Sequence, residues 1–194
     1  MTTTATLAAR VSAAAPSVGP VRLVCVDGPA GAGKTSFAAD LVRALAPVHG
    51  EVPVVHGDGV YEGWDVVVGA PDRVAAFAAL ADRLDAQLLE PFRQGHDARL
   101  PTWDWYAGTW GVTVTVPPAP VVVLEGVGLA ARRLRESAVL TVWLDADDEV
   151  RLARVLARDG DGIRAEMLAW QRDEARWHDL DGTRAAADVR LSTT

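Results

Sequence analysis

Apolar residues along the chain fall into two patterns that take turns. Short, valine-rich runs with little polar alternation are separated by longer stretches in which apolar residues recur every three or four positions. Val21-Arg22-Leu23-Val24-Cys25-Val26, Pro120-Val121-Val122-Val123-Leu124 and Ala138-Val139-Leu140-Thr141-Val142-Trp143-Leu144 are runs of the first kind. They are what a parallel sheet covered on both faces requires of its strands. Val52-Pro53-Val54-Val55-His56 reads as a further strand, its proline near the start where it is tolerated, and Ala187–Leu191 as a short last one. Helical spacing marks residues 36–45, with Pro47 and Gly50 set to end the helix. Residues 72–94 are Ala- and Leu-rich and predict one long helix, or two broken near Pro91. Residues 128–136 predict a short helix, Asp147–Asp159 a helix with acidic residues at its start, and 163–179 another. Strand alternates with helix throughout, so the expected class is α/β, a parallel sheet flanked by helices.

Three stretches are less regular. Residues 57–65 are turn-rich, residues 95–111 show no clear period, and Val112–Val116 alternates like a strand or β-arm. The first twenty residues are rich in Thr, Ala and Ser and end at Gly19-Pro20. Leu7 and Val11 there fit a loose helix or a frayed tail. This stretch has neither a basic start nor a strong apolar core, so no signal peptide is expected.

Composition narrows the picture. The chain has 194 residues, 49% of them hydrophobic, without any run of about 18 apolar residues, so no membrane-spanning helix is expected. A net charge of −7 without a basic stripe argues against nucleic acid as a partner. The one cysteine, Cys25, has no partner for an internal disulfide and fits a small buried residue in a cytoplasmic protein.

The chemistry concentrates in Asp27-Gly28-Pro29-Ala30-Gly31-Ala32-Gly33-Lys34-Thr35, which reads G-x-x-x-x-G-K-[ST] between a strand and a helix. Glycines let backbone N–H groups converge on phosphate oxygens, and the helix N-terminus adds the positive end of its dipole. Lys34 would reach the β- and γ-phosphates and Thr35 would ligate Mg²⁺. Lys34 is also the only lysine in the chain; all other side-chain cations of fixed charge are arginines. A guanine-reading Asn-Lys-x-Asp motif is excluded, because there is no asparagine and no second lysine. The small size argues against the large ATPases. A small-molecule kinase or an ATP-binding sensor remains.

A kinase needs a group that takes or orients the acceptor's proton beside the γ-phosphate. In such a sheet that group belongs just past the carboxyl end of a strand. Asp58 follows the second strand directly, with Tyr61 and Trp64 at three-residue steps beyond it. Here the chain resembles the uridine kinases and their nicotinamide riboside kinase and phosphoribulokinase-type relatives. Asp58-x-x-Tyr61 is similar to their substrate-side motif, which implies that Asp58 is a catalytic base or metal ligand and that Tyr61 contacts the substrate. The strand ending in Glu125-Gly126-Val127 resembles the family strand whose acid faces the metal, although a carboxylate there also suits a helix N-cap. Arg151-Leu152-Ala153-Arg154-Val155-Leu156-Ala157-Arg158-Asp159 resembles the lid helix. Arg154 and Arg158, one turn apart, would share a face toward the transferred phosphate, or else belong to a solvated face. Trp103-Asp104-Trp105 falls where the family walls its acceptor pocket.

The expectation is therefore a three-layer P-loop NTPase fold of the nucleoside/nucleotide-kinase kind. It is a single domain over residues 21–194, after an extension over 1–20, with a lid-like segment near 151–164. Expected as catalytic are Lys34, Asp58, Arg154 and Arg158. Gly28, Ala30, Gly31, Ala32, Gly33, Lys34, Thr35 and Ser36 would hold ATP, and Thr35, Asp58 and Glu125 the Mg²⁺. Asp58, Tyr61, Trp64, Trp103, Asp104 and Trp105 would form the acceptor site for a small molecule, a nucleoside being one candidate. Neither nucleic acid nor membrane is an expected partner. A sugar acid, a cofactor precursor or an antibiotic stays open as acceptor, as does a sensor without transfer activity.

Overall fold

The computed structural model describes residues 3–194. Along the chain run α1 (Thr4–Ala13), β1 (Arg22–Asp27), α2 (Lys34–His49), β2 (Val54–His56), α3 (Gly57–Val60), α4 (Arg73–Leu84) and α5 (Glu90–Arg93). Then follow β3 (Ala98–Asp104), β4 (Thr109–Val116), β5 (Val121–Glu125), α6 (Arg132–Arg135), β6 (Ala138–Asp145), α7 (Asp148–Asp159), α8 (Arg164–Asp181), α9 (Thr183–Ala186) and β7 (Val189–Ser192). Five strands form one parallel sheet in the order β2-β5-β1-β6-β7. The strand period of two divides its apolar side chains between two cores. Leu23, Cys25, Val122 and Leu124 face α4, α6 and α8, while Val24, Val26, Val123 and Val142 face α1 and α2. Helix, sheet and helix thus form three layers, and parallel register brings His56, Glu125 and Asp27 to the same carboxyl edge. No helix among the described residues is long and apolar enough to cross a membrane.

Several elements decide between open expectations or differ from them, for physical reasons. The first twenty residues contain a helix, α1, held by burial of Leu7, Ala8 and Val11 against α2. Pro47 does not end α2. It lies in the last turn, where its missing N–H removes one bond, and the helix stops at Gly50, whose N–H reaches the Ala46 carbonyl. Residues 73–93 form one continuous helical path. Its irregularity is a π-helical turn over Asp85–Leu89, before Pro91, which sits at the second position of α5 where an N–H is dispensable. The stretch without a clear period is β3, paired antiparallel with β4 in a separate two-stranded sheet. Pro101 interrupts the pattern, and the register shifts beside it.

Candidate active site

The phosphate loop leaves β1 and enters α2 through Gly33, the helix's left-handed N-cap. Gly31 shows why glycine is needed here. Its φ is +79°, and a Cβ on it would lie 2.4 Å from the Arg151 carbonyl oxygen. Lys34 is buried and folds back into its own loop, its Nζ donating to the carbonyls of Gly28 at 2.8 Å and Pro29 at 2.9 Å. Burial lowers the Lys34 pKa, against the opposing pull of Glu174, Asp27, Glu125 and Asp58. Ser36 is exposed in the first turn of α2, where amides lack intrahelical partners.

Across the loop, Thr35 Oγ1 lies 3.2 and 3.3 Å from the two Glu125 carboxylate oxygens. His56, at the end of β2, hydrogen-bonds Glu125 Oε1 through Nδ1 at 2.6 Å. That bond raises the His56 pKa, with partial burial opposing it. Among the described residues no three His, Cys, Asp or Glu side chains gather closely enough to hold a metal alone. Thr35 and Glu125 would need phosphate oxygens and water to complete a Mg²⁺ shell, which is how that ion is usually held in phosphoryl-transfer sites.

Asp58 is the second residue of α3, which follows β2 directly. Its side chain is open to solvent on one side and closely surrounded on the other. That partial withdrawal from water raises its pKa, Arg158 and Lys34 lower it, and Glu125 and Asp159 raise it again. No described residue hydrogen-bonds its carboxylate. Lys34, Thr35, Glu125, Asp58 and Arg158 are therefore brought together at the carboxyl edge of the sheet.

The other expected residues divide. Arg158 stays largely exposed, paired with its neighbour Asp159. Arg154 does not share its role. Its guanidinium holds the Gly31 carbonyl at 3.3 Å and Thr193 Oγ1 and O at 2.9 and 3.0 Å, on the outside of the phosphate loop. Tyr61 is not in an acceptor slot. It is 2% exposed, its hydroxyl donates to the Val127 carbonyl at 2.7 Å, and its ring fills the space left by Gly57 and Gly126. Asp104 turns the hairpin, accepting the amides of Tyr106 and Ala107 at 2.9 Å each. Trp103 packs edge-on against Trp110, which lies under the Arg83 guanidinium. Only Trp64 and Trp105 of the aromatic group reach toward Asp58. Trp105 Nε1 donates to the Asp58 carbonyl at 2.7 Å, and the two indoles meet edge to face at 5.8 Å.

Residues 23–163 match the model of the phosphoribulokinase / uridine kinase family. The chain belongs to this family. A uridine kinase of Deinococcus deserti is 35% identical over 148 residues, which span 71% of this chain and 68% of that protein. A uridine kinase of Schizosaccharomyces pombe is 31% identical over 72% of this chain, but the match spans only 32% of its own length. The fold also matches a solved Bacillus stearothermophilus structure described as a possible uridine kinase, with a TM-score of 0.67, 21% identity and 95% of both chains covered. The family match and the fold likeness agree on a P-loop α/β architecture.

Within this member of the phosphoribulokinase / uridine kinase family, four buried groups hold the site without having stood out in the sequence. Asp27 is 0% exposed. Its Oδ1 accepts the Gly28 amide at 2.6 Å and the Gly128 amide at 3.1 Å and bonds His178 Nε2 at 3.2 Å, and its Oδ2 accepts the Ala130 amide at 2.8 Å. Glu174 Oε2 accepts the Ala30 amide at 2.9 Å and Trp170 Nε1 at 2.9 Å. Arg151 is a buried clamp rather than a lid group, binding Glu174 Oε1 at 2.9 Å and the Ala30 carbonyl at 3.1 Å. Glu174 and His178 are one turn apart on α8, so one helix face holds the start and the middle of the phosphate loop.

Proposed function

We propose that this protein transfers the γ-phosphoryl group of ATP, with Mg²⁺, to a hydroxyl of a nucleoside or similar small molecule. The carrying observation is the Asp58 carboxylate. It has no hydrogen bond among the described residues, and it lies within electrostatic reach of Lys34, Arg158 and Glu125, the last paired with Thr35. The donor set fits the metal. Adjacent ligands of an octahedral Mg²⁺ with bonds of about 2.1 Å lie about 3 Å apart, close to the Thr35–Glu125 spacing. Thr35 and Glu125 would hold Mg²⁺, which would supply charge neutralisation for the transferred phosphate.

The chain's own residues do the rest. Asp58 orients the acceptor hydroxyl and accepts its proton as the new O–P bond forms and the bond from the β–γ bridging oxygen to the γ-phosphorus breaks. ADP leaves with that bridging oxygen. A pKa raised above the ordinary aspartate value makes Asp58 a better base. Lys34 and the loop amides hold the phosphates, and Arg158 faces the charge that develops between donor and acceptor. Trp64 and Trp105 offer flat, partly apolar surface with one wet edge, which suits a planar base. Residues 21–194 then act as one catalytic domain, with 151–164 as its lid.

The test is transfer from γ-labelled ATP to a panel of nucleosides, sugar acids, cofactor precursors and antibiotics. Labelled nucleoside monophosphate is the expected product. Asp58→Asn should bind ATP normally and lose about 10²-fold or more in turnover. Transfer only to a non-nucleoside would overturn the acceptor assignment. ATP binding without transfer to any acceptor would leave a nucleotide sensor.

A further inference from the structure

The donor and acceptor halves of the site are joined by a chain of contacts along the α8 side of the sheet, buried at Glu174 and Trp170 and opening to solvent at Trp105 and Asp58. It starts at the Ala30 amide in the phosphate loop, which donates to Glu174 Oε2 at 2.9 Å. The same oxygen receives Trp170 Nε1, also at 2.9 Å. The Trp170 ring meets Trp64 edge to face at 5.8 Å, and Trp64 meets Trp105 in the same way at 5.8 Å. Trp105 then donates its indole N–H to the Asp58 carbonyl at 2.7 Å. Each link constrains the next. Glu174 receives only donors, including Arg151 on its other oxygen, so its carboxylate has one orientation. Trp170 is 4% exposed and held there by its N–H and by edge contacts, so Trp64 has one place to pack. Trp105 and Asp58 are the exposed members, at the solvent end of the chain of contacts.

We propose that Trp170 and Glu174 are positioning residues that couple the phosphate loop to the acceptor wall, so that the placement of Trp105 sets nucleotide affinity at Ala30. This rests on the donor and acceptor assignments given above. The coupling is reciprocal: a nucleotide that orders the loop also orders Trp64 and Trp105. Packed close-contact chains with one arrangement at each link are physical carriers of such coupling, with effects of about 2- to 30-fold in affinity.

Three variants and one double variant test this without an identified acceptor, the probe being MgATP titrated by calorimetry. Trp170→Phe keeps an aromatic ring but deletes the N–H together with the five-membered ring that carries it. Glu174→Gln keeps the shape and puts an amide where three donors converge. Trp105→Ala removes a hairpin-tip side chain that touches neither the phosphate loop nor Glu174. Trp170→Phe and Trp105→Ala should each weaken MgATP binding about threefold to tenfold. The Trp170→Phe/Trp105→Ala double variant should weaken it by clearly less than the product of the two. Glu174→Gln should weaken it most, with Glu174→Asp restoring part. Thermal unfolding of each variant separates this from lost stability, since a purely structural role for Trp105 would leave MgATP affinity unmoved. Unchanged affinity in Trp105→Ala, or multiplicative effects in the double variant, would overturn the coupling while the donor site stands. Wild-type protein that binds no MgATP would overturn the donor assignment and the coupling together.

Discussion

Asp27→Asn removes one charge and one acceptor from the foot of the phosphate loop, and the loss follows from the hydrogen bonds. The best amide orientation keeps its oxygen toward the Gly28 amide, the Gly128 amide and His178, the three partners of Oδ1. That choice turns the NH₂ group onto the Ala130 N–H, donor against donor, where Oδ2 now accepts at 2.8 Å. An orphaned buried donor costs about 1–3 kcal/mol, and charge-assisted bonds exceed neutral ones by about 1 kcal/mol each. Allowing for relaxation, the variant should lose roughly 3–5 kcal/mol, a large part of a typical stability of about 5–15 kcal/mol. For a chain of this length that is a fall of about 6–20 °C in melting midpoint. Thermal unfolding at pH 7 followed by circular dichroism measures the shift, and urea unfolding the free energy. The pH dependence has a definite sign. Burial pushes the Asp27 pKa up, but the His178 bond and the Ala130 and Gly28 amides outweigh it, and the carboxyl ends below its ordinary value. A depressed folded-state pKa stabilises above the unfolded value of about 3.9 and loses that contribution as pH falls through the folded value. The gap between wild type and variant should therefore be full at neutral pH and narrow under acid. A variant melting within about 2 °C of wild type at pH 7, or a gap that widens with acid, would refute the account.

Other outcomes follow from the same geometry. Thr35→Ala should raise the Mg²⁺ concentration needed for half-maximal turnover, read from a metal titration at fixed ATP, because Glu125 is left as the only side-chain ligand of the pair. Arg158→Ala should lower turnover by about 10²-fold, whereas Arg154→Ala should lower melting temperature and nucleotide affinity more than turnover, since Arg154 holds Gly31 and Thr193. Gly126→Ala should cost about 2–4 kcal/mol in urea unfolding, because its φ is +155° and a Cβ would lie 2.8 Å from Gly57 Cα and 2.9 Å from the Tyr61 hydroxyl.

The sheet and most of its helices were legible because their apolar period is strong. β1, β5 and β6 are near-continuous apolar runs, and α7 and α8 repeat at helical spacing. The hairpin was only half legible. β4 alternates, but β3 contains Pro101 and presents mixed, partly exposed faces. The phosphate loop is a local motif and could be read directly. The groups that hold it could not, because Asp27, Glu174 and His178 converge through tertiary packing from β1 and two turns of α8. Asp27 alone left a signal: it ends a buried strand as Glu125 does, and the same reading applies to both. Tyr61 shows the opposite failure. Its spacing from Asp58 suggested contact with substrate, but two glycines opposite it leave room that a large ring fills. Arg154 and Arg158 share a helical face on paper, yet Thr193, just past β7, draws one of them outward.

The β3–β4 hairpin pairs only with itself and joins the body of the protein through packing. No ladder bond of the five-stranded sheet passes through it. Its tip, with Trp105 and the fully exposed Tyr106, can therefore be lengthened, shortened or recoloured without dismantling the strands that carry the phosphate loop. If the hairpin walls the acceptor as proposed, a change of acceptor would need revision of this tip, and only changes that move Trp105 would be felt at the phosphate loop.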